Sequence, residues 1–234
     1  MKFRLIFTLL VLFSCENASE LTIDKSIILV NAGHANRTEV SELLNKLTIC
    51  NPKIVGMNLV FEGRRGLLSD TLLANSIKKA GNVIMVSLPR EKQIINSDSL
   101  FTRNALAQGL LYYGFTEDSI VSKQMMYISI GDDLMWSFPT TIASYFDIDH
   151  SDNIMKSAQG NQFYKIDFSN DFQTIDMTDE FDCSSLAGKM ILVGYLGPTD
   201  EDTYLIPGDE KKYSLWILGN CIRNILDNHF EAVD

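Results

Sequence analysis

SIILVNAGHANRTEVSELLNKL, residues 26–47, joins the two periodicities that decide the fold. Ile27, Ile28, Leu29 and Val30 are apolar in succession, as in a strand covered on both faces, because alternate side chains of a strand point to opposite sides of its sheet. Val40, Leu43, Leu44 and Leu47 then fall at i, i+3, i+4 and i+7, one stripe of a helix, and Asn36 with Glu39 three residues on supplies a capped start. The alternation continues. Lys53 to Phe61 reads as a second strand and Gly63 to Gly66 as a loop. Ser69 then caps a second helix that carries Leu73, Ile77 and Ala80 and stops at Gly81. Asn82 to Leu88 reads as a third strand ended by Pro89. Strands separated by helices imply right-handed crossovers and a parallel sheet.

Farther along, Gly109 to Phe115 and Gln124 to Ile130 read as two strands around the polar turn Thr116–Ser119, a hairpin or antiparallel edge. Ser137 before Phe138-Pro139 starts a short helix reaching Tyr145 or Phe146, and Asp147 to Asn153 reads as an acidic loop. Gln162 to Phe168 is another strand and Lys189 to Gly194 the last core strand. Leu215, Leu218, Ile222, Ile225 and Leu226 mark a C-terminal helix. The expected fold class is α/β, a single domain with a mostly parallel, mixed central sheet and helices on both faces.

With 46% hydrophobic and 21% charged residues in 234, the chain has a globular composition. Thirty acidic against twenty basic side chains give a net charge of −10, which repels nucleic acid and makes it an unsuitable partner. The basic residues Lys2 and Arg4, the apolar run LIFTLLVLF at 5–13, and Ser14-Cys15 have the layout of a secretory leader that ends in a lipobox-like cysteine. The run is too short to span a bilayer. Residues 1–14 are therefore read as a lipoprotein signal peptide, Cys15 as the lipidated residue, 15–25 as a tether and 26–230 as the folded domain. The expected location is the bacterial cell envelope, extracytoplasmic, lipid-anchored to the inner or outer membrane.

Cys50, Cys183 and Cys221 lie at wide, unrelated spacings, so one disulfide with a free thiol and three buried thiols are both open. Catalytic signatures are missing. Gly188-Lys189 has Cys183 where a P-loop needs its first glycine, and 147–158 lacks the glycine and glutamate of a calcium loop. His34, His150 and His229 are scattered, and neither a Gly-x-Ser-x-Gly elbow nor an HExxH pair is present. No enzyme, cofactor or metal is expected. In open α/β sheets, ligands bind beyond the C-terminal ends of the strands. Those ends here are Asn31 to His34, Glu62 to Gly66, and Tyr195 to Pro198. Arg64 and Arg65, adjacent between glycines, suit a carboxylate or phosphate.

The order of segments resembles the type 2 CHASE domain, a bacterial extracytoplasmic sensory module. The resemblance is carried by Ile27–Val30 with the helix at 37–47, IVGMNLVF at 54–61, AGNVI at 80–84, and Gly114-Phe115 with Asp118. Phe138-Pro139, LAGKMILVG at 186–194, and Gly219-Asn220 complete it. Three departures stand out. Asn58 occupies a position where the family commonly has aspartate, a Trp-Pro-Trp approach to the first helix is absent, and Trp216 to Asn220 retains only the asparagine of a Glu-x-His-Ala-Asn pattern. Relatives continue into membrane spans and an output domain. The resemblance therefore implies a sensory domain acting through a partner membrane signalling or envelope protein. The ligand-binding candidates are Asn31, His34, Asn58, Glu62, Arg64, Arg65 and Asn220, for a small anionic ligand. The alternative is an envelope assembly module with no small ligand.

Overall fold

The computed structural model describes residues 21–91, 93–130, 133–231 and 233; the leader, Cys15 and the start of the tether lie outside the described residues. The first half runs β1 (Thr22–Asn31), α1 (Arg37–Cys50), β2 (Ile54–Met57), α2 (Leu67–Ala80), β3 (Val83–Arg90), β4 (Gln93–Ile95), α3 (Ser99–Thr102) and β5 (Ala107–Leu110). The middle follows with β6 (Tyr113–Phe115), β7 (Val121–Met125), β8 (Tyr127–Ile130), β9 (Asp133–Trp136), α4 (Phe138–Phe146), a 3₁₀ turn (Ile148–His150) and α5 (Ser151–Ala158). The last part is β10 (Phe163–Lys165), β11 (Asn170–Asp176), α6 (Cys183–Leu186), β12 (Met190–Gly194), the hairpin β13 (Thr203–Ile206) and β14 (Glu210–Tyr213), and α7 (Ser214–Leu226).

The central sheet has seven strands. Along it β11, β1, β12, β2 and β3 are neighbours in that order, β5 pairs with β3 on the far side from β2, and β4 turns back onto the end of β3. Every pairing except β3 with β4 is parallel, as the strand–helix alternation predicts. Ile27 and Leu29 face one apolar core with α4 and α7, whereas Ile28 and Val30 face another with α1 and α2. The unbroken apolar run of β1 thus reflects burial on both faces. The capping box of Asn36 and Glu39 forms as expected and starts α1.

Several boundaries differ from the sequence expectation. The second strand is short: the Asn58 N–H makes the last bond to β12, 2.8 Å to the Val193 carbonyl, and Leu59 to Phe61 leave the sheet, with the Phe61 N–H donating 2.9 Å to Ser97 Oγ. The second helix starts at Leu67 after Gly66, and Ser69 sits inside its first turn, its hydroxyl donating 3.2 Å to the Gly66 carbonyl, instead of capping it. Pro89 does not end β3: it lies opposite Ile94 in the short antiparallel pairing with β4. Leu110, Leu111 and Tyr113 are all buried, a pattern one strand face cannot satisfy, so the chain changes sheets between β5 and β6. Gln124, Met125 and Met126 split the next run in the same way. The acidic stretch at 147–153 is a 3₁₀ turn leading into α5, which buries Ile154 and Ala158 one turn apart. Asn170 to Asp176 forms the edge strand β11, where only Phe172 is fully buried, so its sequence carries little apolar signal.

Of the two cysteine alternatives, the disulfide is realised, between Cys50 at the end of α1 and Cys183 at the start of α6, leaving Cys221 buried and free. It closes a sequence separation of 133 residues, for which the chain-entropy model gives about 5 kcal/mol of stabilisation. Burial pushes the Cys221 thiol far above its ordinary range, which leaves it unreactive.

Candidate functional site

The connections after β1 and β2 lead to α1 and α2 on one face, while the connection after β12, which lies between them, leads to α7 on the other. Diverging connections open a crevice at the C-terminal edge of the sheet. A groove of about 490 Å³ lies there, walled by Gly33 to Arg37 from the first connection and by Leu59 to Phe61 and Arg65 from the second. A neighbouring groove of about 450 Å³ runs between α1 and the end of β11, bordered by Asn31, Glu42, Lys46 and Thr178. His34 borders both grooves.

Within this frame each sequence candidate has a definite surrounding. His34 is 73% exposed, with Nε2 3.3 Å from the Glu201 carboxylate and its ring 5.0 Å from that of Tyr195. It thereby bridges the β1 and β12 connections. Arg65 lines the first groove, and among the described residues its guanidinium has no carboxylate partner. Arg64 donates 2.8 Å to Asp98, and Glu62 accepts 2.9 Å from Arg90, so both flank the groove with their charges already matched. Backbone donation from Leu100 and then the Arg64 guanidinium hold the Asp98 carboxyl below its ordinary range. Asn58 is half-buried at the end of β2, beside Gly194.

Asn31 is occupied internally. Its carbonyl oxygen accepts from the Gly33 and Leu196 N–H groups and its amide donates 3.0 Å to Asp176, so it knits the ends of β1, β12 and β11. Asn220 stands apart from the others. It is fully buried on α7, where it accepts from the Asn170 N–H at 3.1 Å and donates to the Asn170 carbonyl at 3.2 Å, at the opposite edge where β1 and β11 begin. Asn224, one turn on, treats the Asp167 main chain identically. These two side chains serve the backbone as a neighbouring strand would.

Two residues that hold the groove's wall, Arg37 and Asp70, were not among the sequence candidates. Arg37, 6% exposed, forms a buried ion pair with Asp70, 3% exposed, and donates to the Glu62 carbonyl at 3.0 Å and the Gly63 carbonyl at 2.8 Å. Its guanidinium also lies 5.1 Å from the Phe101 ring. Asp70 accepts in addition from the Arg65 and Gly66 N–H groups. The pair thus holds the loop 62–66 from both sides. A signal for it was present: Arg37, Val40, Ser41 and Leu44 share one helical stripe, as do Asp70, Leu73, Ala74 and Ile77. Opposite charges on the core stripes of consecutive helices have to meet or remain unpaired.

The family model described as the CHASE2 domain matches residues 20–233. No curated protein matches the chain, and no solved structure does. The matched span includes every strand of the sheet and both walls of the groove, and on that extent the chain belongs to the CHASE2 domain family of extracytoplasmic sensory modules.

Proposed function

We propose that this protein is a lipid-anchored sensory domain that binds a small anionic ligand at the C-terminal edge of its sheet and acts through a partner signalling protein of the membrane. It is a binding module, not a catalyst. The observation that carries the reading is Arg65, whose guanidinium has no carboxylate partner among the described residues and lies on the wall of the switch-point groove, in a loop that Arg37 and Asp70 hold in place. A fixed cation in a preformed cleft suits a carboxylate or phosphate. The disulfide supports an oxidising, exported location. Arg223 near the end of α7 pairs with Asp24 at the start of β1, so both ends of the described chain lie at the edge opposite the groove. An anchor at Cys15 would leave the groove facing away from its membrane.

The anchoring reading predicts that Cys15→Ala moves the protein from the membrane fraction to the soluble fraction, as expected when the acyl chains supply the attachment. Retention of the variant in membranes after high-salt washing would reject it. For the ligand, inorganic phosphate, succinate and citrate are the first probes in a thermal-shift series. A probe at about 100 times its Kd should raise the unfolding midpoint by roughly 5–10 °C, and Arg65→Ala should remove most of that shift. The assembly alternative is favoured by one observation: Glu62, Arg64 and Asn31 already have polar partners within the fold, in Arg90, Asp98 and Asp176. A flat thermal-shift series, together with a single partner trapped by crosslinking in cells, would decide for it.

A further inference from the structure

The strap between β11 and β12 lies along α1 and is attached to the rest of the fold in an unusual way. Among the described residues, every hydrogen bond made by residues 178–187 ends within 176–189. Asp182 caps Ser184, Asp176 holds Thr178, and Ala187 returns to Cys183. No polar contact ties this stretch to α1. Leu186 is buried in the core below, and Phe181 packs with its ring 5.9 Å from Lys46 Nζ. The stretch is held at one end by the Met177 N–H, which donates 3.0 Å to the Asn31 carbonyl, and at the other by buried Leu186 and by the Gly188 N–H, which donates 3.0 Å to the Asn51 carbonyl; between these ends its tie to α1 is the Cys50–Cys183 bond. Cys183 is half-buried, and both cysteines border an open groove of about 390 Å³, so a thiolate can approach the bond from solvent.

We propose that the Cys50–Cys183 disulfide is a redox latch for the strap, and that its reduction frees residues 178–185, between the Met177 bond to Asn31 and buried Leu186, and loosens the Thr178 border of the groove between α1 and β11 while the sheet stays folded. Thr178 borders that groove across from α1, next to Asp176 and Met177, which stay tied to Asn31. The reductant is an external dithiol. One of its thiolates attacks Cys183 Sγ, the S–S bond breaks, and Cys50 leaves as a thiolate that takes up a proton. The second thiol of the reductant then displaces Cys183 from the mixed disulfide, so two electrons and two protons pass to the cysteines and the reductant ends as a disulfide. The proposal is independent of the anionic ligand at Arg65.

Hydrogen exchange of the full chain, oxidised and after dithiothreitol, tests it at short labelling times, with thiol alkylation reporting whether the native bond has been reduced. Strap amides at 178–185 should exchange at least about tenfold faster after reduction, with β1, β2 and β12 still protected, because local opening and global unfolding are separate events. The Cys50→Ser/Cys183→Ser variant should reproduce the reduced pattern without reductant, and reoxidation of the natural chain should restore the original one. Three results would each overturn the latch: a bond that stays unreduced until the protein unfolds, a strap whose exchange is unchanged, or protection lost equally across the sheet. The last would make the disulfide a global staple.

Discussion

Asp70→Ala is expected to lower the unfolding midpoint by roughly 10 °C, the scale for stripping one partner from a buried ion pair in a domain of this size. The reason is what remains behind. Arg37 keeps its charge at 6% exposure, left among the described residues with the Glu62 and Gly63 carbonyls, the Phe101 ring and the more distant Asp98 carboxylate. The double variant Arg37→Met/Asp70→Leu removes both charges and should recover most of the loss, since buried pairs are often replaceable by apolar residues of similar volume. Thermal melts of the three proteins check this; a double variant no better than Asp70→Ala would mean that the pair is needed for its hydrogen bonds to the loop.

The same pair has a pH signature. Burial alone would raise the Asp70 carboxyl, but hydrogen bonds from Arg37 and from the Gly66 and Arg65 amides outweigh it and hold it below the ordinary value of 3.8. A carboxyl depressed in the folded state stabilises fully above its unfolded value and loses that contribution as pH falls through the folded one. The stability gap between natural protein and Asp70→Ala should therefore be constant near neutrality and close only below about pH 4. A gap that narrows already at pH 6 would show that Asp70 is not held in this way. Because the pair fixes the loop 62–66, Asp70→Ala should also weaken any anion bound at Arg65.

These residues also show how far the sequence could be read. β1, α1 and α7 were legible because each has a dense periodic apolar pattern, and in α1 a capping box besides. β11 was not, because an edge strand with one buried side chain obeys main-chain pairing and leaves almost no trace in residue type. The switch-point groove followed from topology, since the strand ends could be located before any contact was known. What topology could not supply was the division of labour there. Arg64 and Arg65 are indistinguishable as neighbours in sequence, yet one is matched by Asp98 and the other has no carboxylate partner among the described residues, a difference set by where α3 lands. Asn220 carried family weight and proves to be a backbone partner for β11, a strand the periodicity had missed. The Cys50–Cys183 pairing joins residues that spacing cannot relate.

Gly109→Ala should be nearly as damaging as Asp70→Ala, with a loss of about 3 kcal/mol, or roughly 10 °C. A Cβ built at Gly109 would lie 2.5 Å from Phe138 Cα and 2.7 Å from its nitrogen, both main-chain atoms at the start of α4. That start cannot retreat. Ser137 N–H donates 2.9 Å to Met126, its hydroxyl accepts from the Thr140 N–H at 3.3 Å, and Phe138 itself is fully buried. Two other glycines calibrate the effect. At Gly56 the new Cβ would meet Ile142 Cδ1 and Leu192 Cδ2, the far ends of side chains that can rotate away, so alanine there should cost less. At Gly33 the space is open and only the φ of +50° opposes alanine, a penalty of about 1–2 kcal/mol. The predicted order of destabilisation is Gly109 first, with Gly33 and Gly56 well behind, read from thermal melts of the three alanine variants. Were Gly109→Ala to melt with the other two, α4 would be free to slide on the sheet, and the face opposite α1 would be adaptable instead of fixed.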